Sequence, residues 1–180
     1  IYRPIIAGWT FPIGSTAGIA ENATTGFRPA TTFGDQVLFI QNIGTATVAL
    51  TAATAGYWRF SCQTAQRVLA GVTSSQEVEI TLDNVVIGRL NPVGSAYELA
   101  YTSAVYVSAG THNLKFTGLK PDNTLFVDEL KYEVMRRWND TATWTDSAVP
   151  MTCCMVNIPA SAAVVMDGNC DAFTVEISGL

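Results

Sequence analysis

Charge is scarce in this 180-residue chain: Asp, Glu, Lys and Arg make up 14% of it, against about 25% in an average soluble domain. Ten Lys and Arg against fifteen Asp and Glu leave a formal charge of −5, which repels phosphate and offers no counterion release, so no nucleic-acid partner is expected. Long apolar runs are missing as well. None approaches the ~20 residues that span a bilayer, and the first residues lack the basic and uninterrupted apolar segments of a secretory leader. A soluble chain with no membrane insertion is expected. Histidine is nearly absent, with His112 alone, and two of the four cysteines, Cys62, Cys153, Cys154 and Cys170, are adjacent. That set supplies no zinc spacing and a poor disulfide framework. Free thiols are the default, with a bridge from Cys153 or Cys154 to Cys170 sterically open. The first residue is Ile1, not Met, from which a processed chain or a piece of a longer polypeptide is expected.

What the chain has in quantity is hydrophobic residues, 48% of the total, enough to build a core. Helical periodicity is almost missing; short alternations of apolar and polar residues, bounded by Gly, Asn, Asp and Ser, recur about every ten residues and predict strands. The predicted strands are the short apolar run Gln36 to Gln41, then Thr45 to Leu50, Tyr57 to Gln63, Glu77 to Leu82, Val85 to Leu90, Ala104 to Val107, Thr111 to Thr117 and Thr124 to Val134. Asp83-Asn84 and Ser108-Ala109-Gly110 make hairpin turns. Trp58, Phe60, Val78, Ile80, Leu82, Leu114, Phe116 and Phe126 are expected to share one core, and Cys62 to sit in it as a small hydrophobe. Some eight such strands predict an all-β, antiparallel β-sandwich or jelly roll. After Met135 the composition changes. The expected organisation is a sandwich over 1–135, then a linker with a short β-rich extension over 136–180 whose strands near Met151 to Ile158, Ala162 to Met166 and Ala172 to Ile177 either complete the sandwich or begin another unit.

Six segments then carry a resemblance: Gly8-Trp9-Thr10-Phe11, Gly18-Ile19-Ala20, Gly34-Asp35-Gln36-Val37, Gly56-Tyr57 through Ala65-Gln66-Arg67, Gly110-Thr111-His112, and Asp122-Asn123-Thr124-Leu125-Phe126-Val127-Asp128. In order and spacing they resemble a bacterial galactose-binding-domain-like family, with the jelly-roll fold of many carbohydrate-binding modules. The match runs from Gly8 to Tyr132. The resemblance implies a non-catalytic module that binds glycan in its loops or on its concave face, found in secreted proteins, phage tails and other appendages. It further implies a structural calcium held by Asp128 together with a Glu of a first strand that this sequence does not show. No other cofactor is required.

Sugar recognition needs an aromatic ring against a pyranose face and planar polar groups for vicinal hydroxyls. Gln66 and Arg67 close a strand and match the family motif, Arg67 offering a fork of donors and Gln66 both donor and acceptor; a structural partnership of Arg67 with Asp128 or Asp122 is the competing reading. Tyr97 and Tyr101 are spaced to share a strand face. Trp9 fits either burial or stacking, and Asp122 and Asn123 either bond hydroxyls or form an Asx-type turn. The best enzymatic alternative is the pair Glu77 and Glu79, two apart on a strand and thus roughly 6.5–7 Å between Cα atoms; a solvated outer face is favoured instead. His112 is read as bonding its turn. Asn22-Ala23-Thr24 and Asn139-Asp140-Thr141 fit the glycosylation pattern.

The reading that follows is a glycan-binding, adhesive module of a larger surface or appendage protein, not an enzyme, located outside the cell, on a cell surface or on a virion surface. Its partner would be a glycan or cell-surface polysaccharide. The alternative is a structural component of a phage virion, a tail fibre or capsid decoration, whose partners are virion or appendage subunits or further copies of itself.

Overall fold

The computed structural model describes residues 4–21, 34 and 36–135 with their side chains, and strand backbone at 136–137, 155–158, 164–165 and 174–177. In chain order the strands are β1 (Trp9–Thr10), β2 (Ala17–Glu21), β3 (Gln36–Gln41), β4 (Thr45–Ala52), β5 (Gly56–Gln66), β6 (Val68–Leu69), β7 (Val72–Thr73) and β8 (Val78–Leu82). They continue with β9 (Val85–Leu90), β10 (Glu98–Tyr101), β11 (Val105–Val107), β12 (Gly110–Gly118), β13 (Thr124–Arg137), β14 (Met155–Ile158), β15 (Val164–Val165) and β16 (Thr174–Ile177). One sheet runs β1-β4-β12-β8-β9. The other runs β10-β5-β13-β3-β2, with β11 beside β5 and β15 beside β13. Pairing within the two main sheets is antiparallel except between β13 and β15. The pair β14 and β16, parallel, and the small hairpin β6–β7 stand outside them. Cys153, Cys154, Cys170 and both glycosylation patterns lie outside the described residues, as does most of the expected linker.

The two sheets face each other across one hydrophobic core. Val48 of β4, Val78, Ile80 and Leu82 of β8, Leu90 of β9 and Leu114 and Phe116 of β12 meet Leu38 and Ile40 of β3, Trp58, Phe60 and Cys62 of β5 and Leu125 and Val127 of β13. Strict alternation sends these positions inward, and the buried apolar area is what holds the layers together. The Asp83-Asn84 turn is a two-residue connection with both residues at positive φ, 48° and 69°, the left-handed pair that joins strands without splaying them and that Asp and Asn tolerate.

Phe126 departs from the expected shared core. It is fully buried, but on the other face of its sheet, with Ala20, Val37 and Phe39 and with Tyr97 packed against them. The reason is a β-bulge. β13 pairs with β5 in register up to Asp128↔Gln63 and resumes at Lys131↔Ser61, so Glu129 and Leu130 oppose the single residue Cys62, and Glu129 takes φ 46°. An extra residue reverses the phase of the pleat. Before the bulge the odd positions Leu125 and Val127 point inward; after it Leu130 packs on the core and Tyr132 stacks on Trp58 at 4.3 Å with 7° between planes.

Candidate functional site

Gln66 and Arg67, expected to meet a ligand, are withdrawn from solvent at 0% and 9% exposure. At the end of the sandwich where β3 meets β4 and β12 meets β13, Gln66 Nε2 donates to the carbonyls of Gln76 and Pro92, and its Oε1 accepts from Gln76 N–H. The Gln76 side chain goes further. Its Nε2 donates to the carbonyls of Asn42, Lys120 and Asn123, and its Oε1 accepts from the N–H groups of Glu77, Leu119 and Lys120. Buried main-chain groups at loop crossings need partners, and two glutamine amides supply them here. Asn123 belongs to the same web: its Oδ1 accepts from Ser75 N–H at 2.7 Å and its Nδ2 donates to Pro121 at 2.8 Å. Asp122 is exposed, with its N–H donated to Asn42 Oδ1. This end is a structural closure: Gln66 and Asn123 spend their side-chain amides on main-chain partners there, and Arg67 is buried beside them.

Trp9 lies on β1, stacked at 6.2 Å on both Phe11 and Phe116 and packed on the core; it is packing, not a platform. Tyr97 precedes β10 and lies on the same outward side of the sheet as Tyr101, but half-buried against Ala20, Val37, Phe39 and Phe126. Glu77 and Glu79 are each held by a cation of their own, Lys120 at 2.8 Å and Arg89 at 3.0 Å. The Lys120 ammonium, bonded to Glu77 and attracting it, holds that carboxyl below the usual range, opposite to what a general acid at neutral pH needs. Burial pushes the Cys62 thiol up to about 12, which leaves it inert.

His112 bonds its turn, as read from the sequence, and more. Nδ1 lies 2.6 Å from Asp83 Oδ2 and Nε2 lies 2.8 Å from the Ser108 carbonyl. Both neighbours are acceptors, so the ring is complete as a donor only when it carries two protons. The Asp83 contact first, then the Ser108 carbonyl, raises its pKa above the ordinary value. Asp83 is held low by Asn113 N–H and by His112.

Calcium at Asp128 is tested by the donor set around it. Asp128 Oδ1 accepts from Glu129 N–H at 2.8 Å inside the bulge, and Glu129 is taken by Lys131 at 3.1 Å. Among the described residues no three His, Cys, Asp or Glu side chains gather. Calcium takes six to eight oxygens, and these residues do not provide such a cage.

The surface that does assemble recognition chemistry is the outward face of β5, β10, β11 and β13. Register places Tyr57 beside Tyr106 and Met135, Arg59 beside Glu133, and Ser61 between Tyr101 and Lys131. Arg59 Nη2 meets Glu133 Oε2 at 2.7 Å, and its guanidinium carbon lies 4.4 Å from the centre of the Tyr101 ring. Tyr57 and Tyr106 meet edge to face at 5.4 Å. Tyr101 and Tyr106 are 48% and 59% exposed, and Leu99 is exposed beside them. The result is two open rings flanking a fork of donors and a carboxylate acceptor on a rigid sheet. Of these residues the sequence pointed to Tyr101 alone. The signal for Tyr57 and Arg59 was there in the polar positions alternating with Trp58 and Phe60; Glu133 was hidden by the bulge, which turns it outward.

No family model matches the sequence, and no curated protein matches it. Solved structures do. The structure of TmCBM61 in complex with β-1,4-galactotriose is similar with a TM-score of 0.50 at 9% identity, covering 71% of this chain and 89% of that one. CBM35 from Paenibacillus barcinonensis gives 0.49 at 14% identity over 71% and 94%. The carbohydrate-binding module CBM36 in complex with calcium and xylotriose gives 0.47 at 13% identity over 69% and 98%. The likeness to TmCBM61 and the two facing antiparallel sheets give the chain an all-β, jelly-roll sandwich fold, as its sequence predicted.

Proposed function

We propose that the protein is a non-catalytic glycan-binding module and that the face built from Tyr101, Tyr106, Arg59 and Glu133 is where the sugar sits. The observation that carries the reading is the pair of half-exposed tyrosine rings on either side of an ordered Arg–Glu pair. A pyranose presents an apolar face to a ring and a rim of hydroxyls to planar donors and acceptors, and this face offers both. The fold is shared with TmCBM61, which holds β-1,4-galactotriose. A place on a cell, appendage or virion surface, as part of a larger adhesive protein, goes with this reading.

The test is a glycan array followed by calorimetry on Tyr101→Ala and Tyr106→Ala. Each change should weaken binding by about 1–2 kcal/mol, or roughly five- to thirtyfold, and leave thermal unfolding within about a degree, since both rings are half in solvent. Absence of any glycan binding by the unaltered protein, with a solution mass showing a defined oligomer, would overturn the reading in favour of a virion-type assembly subunit.

A further inference from the structure

We propose that Glu133 sets this face to uncharged sugars by cancelling Arg59, so that neutral pyranosides bind and uronate or sulfated sugars are refused; this rests on the glycan reading above. Arg59 is the residue on the face best shaped for a carboxylate or sulfate, because its fork donates to two oxygens at once. That capacity is already committed. Glu133 holds one arm at 2.7 Å, the Tyr101 ring covers the guanidinium at 4.4 Å, and Nε is enclosed with no hydrogen-bond partner among the described residues. The other cation of the face, Lys131, is paired with Glu129 at 3.1 Å. An acidic sugar laid on Tyr101 would have to displace Glu133 from Arg59 while lying against two carboxylates, on a chain whose formal charge is −5. A neutral sugar meets no such conflict: Glu133, with 41% of its side chain exposed, keeps lone pairs for hydroxyl donors, and the free N–H groups of the fork serve hydroxyl acceptors.

The bulge at Glu129 is what makes this arrangement. Without the phase change after Asp128, Lys131 and Glu133 would point inward and Arg59 would stand alone on the open face. The selection against acid is thus written in the backbone of β13 as much as in the side chain. Because the face is open, the refusal works through a partly screened field and weakens as salt rises.

The experiment measures association of cellohexaose, xylohexaose and mannohexaose against hexagalacturonate, for the unaltered protein and for Glu133→Gln, at about 20 mM and about 0.5 M salt. Glu133→Gln keeps the shape and an acceptor for Arg59 but removes the charge. The ratio of acidic to neutral association constants should rise at least tenfold in the variant at low salt, the size of one charge-assisted hydrogen bond, and fall back at high salt. The double change Arg59→Gln with Glu133→Gln should abolish the gain. As a check that needs no variant, neutral binding by the unaltered protein should change by less than about twofold across that salt range. Hexagalacturonate binding by the unaltered protein that is lost in Tyr101→Ala, or an unchanged ratio in Glu133→Gln, overturns the role of Glu133 and leaves the glycan reading standing. Failure of all four sugars and of a wider array to bind overturns the glycan reading, and this inference with it.

Discussion

Gln66 and Gln76 hydrogen-bond to each other twice, side chain to main chain: the amide of Gln66 donates to the Gln76 carbonyl at 2.8 Å and accepts from the Gln76 N–H at 3.0 Å. The side chain of Gln66 thereby does for Gln76 what a neighbouring strand would do, at a point where no strand pairs. With that backbone fixed, the Gln76 side chain reaches into the loops after β3 and β12.

Gln76→Ala should cost about 3–5 kcal/mol, because several main-chain donors and acceptors at a closed end lose their partner, each at about 1–3 kcal/mol with water recovering part. Gln66→Ala should cost less, since one residue's main chain and the Pro92 carbonyl are affected. Urea unfolding of both variants measures this. A loss under about 1 kcal/mol for Gln76→Ala would mean that the loops close without it.

Phe60→Ala and Phe116→Ala in the central core should each destabilise by about 3–5 kcal/mol. Phe126→Ala should cost a similar amount although its ring lies on the opposite face of the sheet. Because the two clusters share no side-chain contact, Phe116→Ala and Phe126→Ala should add to within about 0.5 kcal/mol when combined. A coupling well above that would place Phe126 in the central core after all.

The contact between His112 and Asp83 gives stability a pH window. The folded pKa of His112 is raised, so its contribution is full below the ordinary value of 6.5 and is lost as pH climbs through the folded value. Asp83 is lowered, so its contribution is full above its ordinary 3.8 and is lost as pH falls through the folded value. Both act together between the two ordinary values. Thermal midpoints of the unaltered protein should decline above about pH 6.5 more steeply than those of His112→Gln, and parallel curves would assign the slope to other groups.

Calcium and chelator should leave the melting temperature within about a degree of each other, because among the described residues no three His, Cys, Asp or Glu side chains gather at Asp128 or elsewhere. A rise of several degrees with calcium would show a cage completed by residues outside that set.

β4, β8 and β12 were legible because apolar and polar residues alternate along them, β3 because it is a short apolar run fit for burial, and a two-residue Asp-Asn turn has one good geometry. Phe126 was placed on the wrong face because a bulge leaves no mark in composition: Asp128-Glu129-Leu130 reads as ordinary strand, and only pairing with Gln63 and Ser61 reveals the extra residue. The site was less legible for a related reason. Gln66 and Arg67 are polar residues at a strand end, where exposure is the usual outcome, and what buries Gln66 is Gln76 and the loop carbonyls it joins. Arg59 and Glu133 are separated by 74 positions, so neither announces the other until β5 and β13 lie side by side. Trp9 and Tyr97 were ambiguous between packing and stacking on their own sequence, and Phe116 and Phe39 decide them.

The extra residue in β13 also governs which deletions the gene can tolerate. Removing one residue from a strand ordinarily rotates everything beyond it to the other side of the sheet. Removing Glu129 would not. It would join Asp128 to Leu130 with the inward and outward alternation intact on both sides, leave Gln63 and Ser61 opposite their present partners, and forfeit the bend, the Lys131 ion pair and the Glu129 N–H bond to Asp128. The longest described strand therefore contains a short stretch where a codon can be lost without a shift of phase: loss of Asp128 would seat Glu129 opposite Gln63, loss of Leu130 would turn Glu129 toward the core, and in each case Glu133 would keep its outward place.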